Sequence, residues 1–423
     1  MDFTTIENKR IGEHYFRMKH KSGLTVIVYP KKGFNSVYAS IGTKFGSIYS
    51  KFEFNGNEVT VPDGTAHYLE HKLFESEDGD AFSKYAKTGA SANAFTSFDM
   101  TCYLFSCTSN FRQSLEILID LMQTPYFTKE TVAKEQGIIG QEIKMYDDST
   151  DWRVMMNLFQ GLYHNHPINK DIAGSVETIA QITPEILYEC YNSYYNLNNM
   201  VLTVVGGADP DQVLKIVDER IKPSEKVDTK LIIPDEPYSV VKKYTEQIMP
   251  VAVPQFELGF KEESTDKYAS SRELVCTSVL MNSFIGESSA LYRRLLDKKL
   301  INSTFGYEYL EGLGYRSVII SGETRDPSAV AEILGEEVRK LHKNGISRED
   351  FEASRKVVYG KMISGFDNKQ SIASELTNGE FTGREIFGAI DDIASITFED
   401  VNKRLADQLD ADNCCLSVVK GEK

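Results

Sequence analysis

The sequence predicts an α+β fold of two homologous domains, each a largely antiparallel sheet with helices packed on it. Three observations carry that expectation. The chain has 423 residues, more than one hydrophobic core usually serves. Helix-like and strand-like patterns are mixed, with strands often adjacent rather than strictly alternating with helices. And one half of the chain repeats in the other. The stretch from Gly174 to Gly207 overlays Gly388 to Gly421 without a gap. Gly174/Gly388, Ile179/Ile393, Thr183/Thr397, Glu185/Glu399, Asn199/Asn413 and Val205/Val419 are among the identical pairs. A second match, from Phe127 onto Ile346, aligns two helical patterns.

Taken in order, GLTVIVYP and SVYASIGTKFGS read as strands and DGTAHYLEHKLFE as a helix. SANAFTSFDMTCYLFSCT reads as one strand with a turn-like start. FRQSLEILIDLMQ and TKETVAKEQGIIGQEIKMY read as amphipathic helices, the second behind a Thr cap. Thr183 and Thr397 each cap a helix with an acidic residue in its first turn. Each of these helices precedes a buried strand, MVLTVVGG or CCLSVVKG. IKPSEKVDTKLIIPDEPYSVVK, with prolines and mixed charge, reads as a linker. The expected boundaries are 1–222 for the first domain, 223–239 for the linker and 240–423 for the second domain.

Lys and Arg number 47 against 62 Asp and Glu, a net charge of −15. Nucleic acid and anionic membranes need a basic face, so neither is an expected partner. Solubility accounts for the acidity, with a preference for basic substrates as the alternative. The first residues show no charged region followed by an apolar one, and no run approaches the ~18 apolar residues of a membrane span. Six cysteines without C-x-x-C spacing read as buried, reduced thiols of a cytoplasmic protein. Cys414 and Cys415 would leave opposite faces of a strand, which makes them poor candidates for ligands of one ion.

His67-Tyr68-Leu69-Glu70-His71 is H-x-x-E-H. On a helix, His67 and His71 lie one turn apart on one face and can direct ring nitrogens at one metal, with Glu70 beside them. Catalytic zinc takes three protein ligands and a water. Glu142 is the candidate third ligand. Glu135, two turns earlier on the same helix face, is its supporting neighbour. Glu70 is the candidate general base for water. At the positions overlaying Glu135 and Glu142, the second copy has Ser354 and Lys361, and it contains no H-x-x-E-H. A residue set present in one copy and erased in the other points to chemistry, because the needs of folding act on both. His164 and His166, in YHNHP, read as a structural turn, and Trp152 as a packing residue.

H-x-x-E-H, followed 142 − 71 = 71 residues later by a Glu with another Glu seven before it, resembles the insulinase/pitrilysin family of zinc peptidases, M16. The resemblance covers the whole chain and is closest to the mitochondrial-processing-peptidase-like subfamily, in its bacterial YmfH-like branch. It implies two homologous halves of a clam-like chamber, one zinc ion in the first half, and cleavage of peptides or unfolded segments. It implies His67, His71 and Glu142 as ligands, Glu70 as base and Glu135 as support. Gly89 to Ser97 looks like the family's edge strand, which pairs with substrate backbone, so Asn93, Ala94 and Phe95 are implied as substrate-binding. One departure stands out. Where the family has an Arg and a Tyr near the scissile bond, this chain has Leu296 and Ser303. Either Arg293, Arg294, Tyr307 or Tyr309 substitutes, or a homologous partner chain, zinc-less or a second copy, supplies the pair. The second arrangement is the expected one. A weakly active or non-catalytic subunit is the alternative.

Overall fold

A computed structural model describes residues 3–422. The first half carries β1 (Thr4–Asn8), β2 (Glu13–Lys19), β3 (Thr25–Pro30), β4 (Val37–Thr43), β5 (Lys51–Phe54), β6 (Asn57–Thr60), α1 (Thr65–Leu73), β7 (Glu75–Ser76), β8 (Gly79–Asp80) and α2 (Ala81–Thr88). It continues with β9 (Ser91–Thr96), β10 (Thr101–Cys107), α3 (Phe111–Leu121), α4 (Lys129–Asp147), α5 (Thr150–Leu162), α6 (Val176–Ile179), α7 (Pro184–Tyr194), β11 (Met200–Gly206), α8 (Pro210–Arg220) and β12 (Thr229–Leu231). The second half carries β13 (Tyr244–Ile248), β14 (Gln255–Lys261), α9 (Ser271–Ile285), α10 (Ala290–Asp297), β15 (Gly306–Gly312), β16 (Tyr315–Glu323), α11 (Pro327–Asn344), α12 (Arg348–Gly365), α13 (Lys369–Thr382), α14 (Gly388–Ser395), α15 (Phe398–Ala406) and β17 (Cys414–Lys420). Among the described residues no single helix is long and apolar enough to cross a membrane.

The fold is α+β, and the repeat extends to sheet topology. The first sheet has the order β1-β2-β3-β11-β4-β10-β9, and the second β13-β17-β14-β16-β15. In each, one parallel pair (β3 with β11, β13 with β17) is followed by antiparallel neighbours. The strands at the centre of the first sheet, β4 and β11, are buried along their whole length, in keeping with sequences that are mostly apolar and interrupted only by small Ser, Thr and Gly residues. The predicted caps are present: Thr183 and Thr397 each accept a backbone N–H in the first turn of their helix, α7 and α15.

Two local expectations change. The segment Ser91 to Cys107 is a hairpin, β9 and β10 joined by a turn in which Ser97 N–H donates to the Met100 carbonyl at 2.8 Å. The linker is also partly structured. Within it β12 pairs with β5. Glu236 is buried, accepting backbone N–H bonds from His164, Asn165 and His166 and pairing with buried Lys261 at 2.6 Å. Burial opposes its ionisation, but Lys261 and these amides outweigh it and hold the Glu236 carboxyl below its ordinary value.

The domain limits need a larger correction. The first compact unit comprises residues 1–143, 171–232 and 363–387; the second comprises 144–170, 233–362 and 388–423. Two equivalent helices have changed places. α5 starts at residue 150 and α13 at 369, an offset of 219 that matches the repeat. α5 packs on β14 and β17, and α13 on β4 and β11. In each unit the helix meets a glycine of an interior strand, Gly42 on β4 or Gly259 on β14. A Cβ on Gly42 would lie 2.7 Å from the Thr377 methyl, and one on Gly259 would lie 2.8 Å from Leu162 Cδ1. The missing side chain is what lets each helix approach its sheet so closely.

Candidate metal centre

The H-x-x-E-H segment lies on α1, which begins at Gly64 with φ of 92°. A Cβ there would meet the Ala173 carbonyl at 2.5 Å, so both the left-handed backbone and the close approach require glycine. Almost all of α1 is buried, including His67, Glu70 and Lys72. The Tyr68 hydroxyl donates to the Val132 carbonyl on α4 and ties the two helices together. On α4 the residues Val132, Ile139 and Ile143 are buried. Glu135 and Glu142 follow the same 3.6-residue spacing and are therefore carried on the face that meets α1.

The structure brings the predicted residues together. His67 Nε2 lies 3.6 Å from one Glu142 oxygen and His71 Nε2 lies 3.3 Å from the other. The two imidazole centroids are 4.6 Å apart. One donor atom from each of His67, His71 and Glu142 falls within 4.8 Å of the other two, the sole such group among the described residues. Ligands about 2.0–2.1 Å from a tetrahedral zinc ion stand roughly 3.3 Å from one another. Two imidazoles and one carboxylate at these separations fit zinc.

The surroundings are asymmetric. His71 Nδ1 lies 3.0 Å from Glu135 Oε1, the usual carboxylate support of a metal-binding imidazole. His67 Nδ1 is buried without a hydrogen-bond partner. Burial alone would lower the His71 pKa, but Glu135 and Glu142 push it up to about 10. Glu135 moves the opposite way: burial raises it, and the bond to His71 brings it below its ordinary value. Without an ion, His71 therefore carries a proton between two carboxylates. Glu70 is pushed up by burial, opposed by His67, by a hydrogen bond from Thr96 and by His71. That bond, Thr96 Oγ1 to Glu70 Oε2 at 2.6 Å, was not assigned a role by sequence reasoning. Its one signal was that Thr96 follows Asn93, Ala94 and Phe95 in a single run.

Asn93, Ala94 and Phe95 lie on β9, the edge strand of the first sheet, paired on one side with β10 only. The Asn93 side chain accepts the Ala94 N–H at 2.9 Å, which caps one donor of the strand. The four residues considered as replacements for the Arg/Tyr pair are all engaged within the second unit. Arg293 donates to the Ser288 carbonyl and Arg294 pairs with Glu337. Tyr307 donates to the Ser278 carbonyl. Tyr309 joins a buried network with Glu262 and Arg404. Leu296 and Ser303 are exposed. His164 and His166 bond to the carbonyls of Ser239 and Leu313 and hold a turn. Trp152 stacks on Tyr146.

Comparison with known proteins bears on the family of the chain. Residues 56–176 match the family described as Insulinase (Peptidase family M16), and residues 181–358 match the Peptidase M16 inactive domain. YmfH of Bacillus subtilis, described as an uncharacterized zinc protease, is 40% identical over 414 residues, 96% of each chain. A probable mitochondrial-processing peptidase subunit beta of Arabidopsis thaliana is 25% identical over 83% of this chain and 70% of its own. An M16-like peptidase from Alicyclobacillus acidocaldarius superposes with a TM-score of 0.93 at 30% identity, over 100% of this chain and 99% of that one.

Proposed function

The chain belongs to peptidase family M16, fitting its YmfH-like branch, and from that premise we propose that it is a zinc-dependent endopeptidase acting on peptides or unfolded segments. The convergence of His67, His71 and Glu142 beside Glu70 carries the proposal. His67, His71 and Glu142 would hold the ion, which when bound supplies a Lewis acid that acidifies water toward a pKa of ~7 and polarises a carbonyl. The chain's own residues do the rest. Glu135 fixes the His71 ring through Nδ1. Glu70 takes a proton from the attacking water and passes it to the leaving amine, a task suited to a carboxyl pushed up by burial. The free edge of β9 at Asn93, Ala94 and Phe95 pairs with the peptide backbone.

A donor for the developing oxyanion is still required. With Leu296 and Ser303 in this chain, and the nearby Arg and Tyr side chains already engaged, a homologous partner chain would supply it, either zinc-less or a second copy. The same observation supports the second reading, a partner-dependent subunit with little activity alone. The six free thiols, five of them buried, favour a reducing compartment, the cytoplasm. The test is direct: purified protein should hold about one zinc per chain, and Glu70→Gln should keep the zinc and lose cleavage. Full activity of Glu70→Gln removes the base. Robust cleavage by the monomeric chain removes the partner.

A further inference from the structure

Glu70 and the substrate-pairing strand are joined by one hydroxyl. Thr96 is the last residue of β9, and its Oγ1 donates to Glu70 Oε2 at 2.6 Å, within the range of a charge-assisted O–H···O⁻ bond. The direction of this bond is set by its acceptor, since an ionised carboxylate has no proton to donate. Thr101, directly opposite Thr96 in the β9–β10 register, has its hydroxyl 3.4 Å from that of Thr96. The Thr101 proton goes to the Phe45 carbonyl at 2.8 Å. That leaves the Thr101 oxygen as an acceptor at 3.4 Å and the Glu70 carboxylate as one at 2.6 Å, and the shorter contact takes the single Thr96 proton. A β-branched side chain has little χ1 freedom, so Thr96 presents its hydroxyl from a fixed place on the strand.

We propose that Thr96 is a positioning residue that holds one oxygen of Glu70, leaving the other for proton transfer, and so links the alignment of the base to the strand on which substrate is laid. This rests on the peptidase reading above. A peptide that extends the sheet at β9 steadies the residue that orients the base, and a peptide that fails to pair there does not. The hydroxyl bonds to Glu70 and approaches Thr101, so its loss should appear in turnover and not in binding.

The experiment compares Thr96→Val, which keeps the shape and removes the hydroxyl, with Thr96→Ser, which keeps the hydroxyl. For each, kcat, KM, zinc content and melting temperature are measured. In the zinc-free protein, the infrared carboxylate band of Glu70 is identified by its absence from Glu70→Gln. In Thr96→Val, kcat should fall on the order of 10- to 100-fold, with KM and zinc content unchanged and the Glu70 band shifted. Thr96→Ser should restore both kcat and the band. Wild-type kcat in Thr96→Val, a Thr96→Ser as impaired as Thr96→Val, or a defect seen in zinc content or KM would overturn the positioning role. Wild-type protein that binds zinc and cleaves peptide while Thr96→Val behaves normally overturns this proposal alone. Wild-type protein that neither binds zinc nor cleaves overturns the peptidase reading and the role of Thr96 with it.

Discussion

Replacing Glu135 by Gln tests whether the α4 carboxylate supports the ion through His71. The change keeps size and an acceptor oxygen but removes a charge 3.0 Å from His71 Nδ1. At an effective dielectric constant of ~20, charges at that separation interact by about 5 kcal/mol, a ceiling that solvent and relaxation reduce. Removal of such supporting groups costs about 10- to 100-fold in metal affinity, or roughly 1.4–2.7 kcal/mol. The pH dependence is more discriminating than the size. In the wild type a proton on His71 competes with zinc. With the His71 pKa pushed up to about 10, that proton must leave before the ion binds at neutral pH, and the competition eases as pH rises. Glu135 contributes the leading upward pull on His71, so the Gln variant suffers less competition, and part of its intrinsic loss is hidden at neutral pH. The ratio of wild-type to variant zinc affinity, measured with a competing chelator, should widen from pH 6.5 to pH 9. A ratio that stays flat or narrows refutes the arrangement of proton and ion competing for one imidazole.

Three further outcomes follow from the same geometry. In the metal-free protein, His71 has a raised folded pKa, so its contribution to stability is complete below its ordinary 6.5 and is lost as pH rises toward about 10. The difference in urea midpoint between wild type and His71→Ala should shrink across that window, and zinc should abolish the trend. Gly42→Ala should cost about 1–3 kcal/mol, because the new methyl meets the Thr377 side chain at 2.7 Å and α13 must shift; denaturant unfolding reads this. Lys261→Met leaves Glu236 buried with backbone donors only, and should cost about 3 kcal/mol or somewhat less, given those amides. Calorimetry at pH 7 reads that loss, and a neutral outcome would show that the amides alone suffice.

Much of the candidate site's geometry was legible in the amino-acid order because helical spacing converts directly into a face. His67, Glu70 and His71 needed only one helix, and Glu135 with Glu142 only another. What joins the two helices, the Tyr68 hydroxyl on the Val132 carbonyl, depends on tertiary packing and left no local mark. Thr96 escaped for the same reason, since its partner is 26 positions away on another element. The turn between β9 and β10 was announced only by Ser97 and Asp99, with no Gly or Pro to interrupt the run of apolar and aromatic residues on either side. The change of place between α5 and α13 was invisible in principle. Both sheets offer the incoming helix a glycine in an apolar strand, and hydrophobic periodicity states that a face is buried without stating against what.

That trade of helices makes each half of the chain depend on the other for part of its core. Severing the polypeptide near residue 222 would strand α13 away from the apolar strands it covers and leave α5 without a surface to lie on. Neither fragment would be a self-sufficient module, although the two together could reconstitute the whole by complementation. The second half thus supplies a piece of the first half's scaffold, and mutations that loosen α13 should weaken the unit that carries His67, His71 and Glu142.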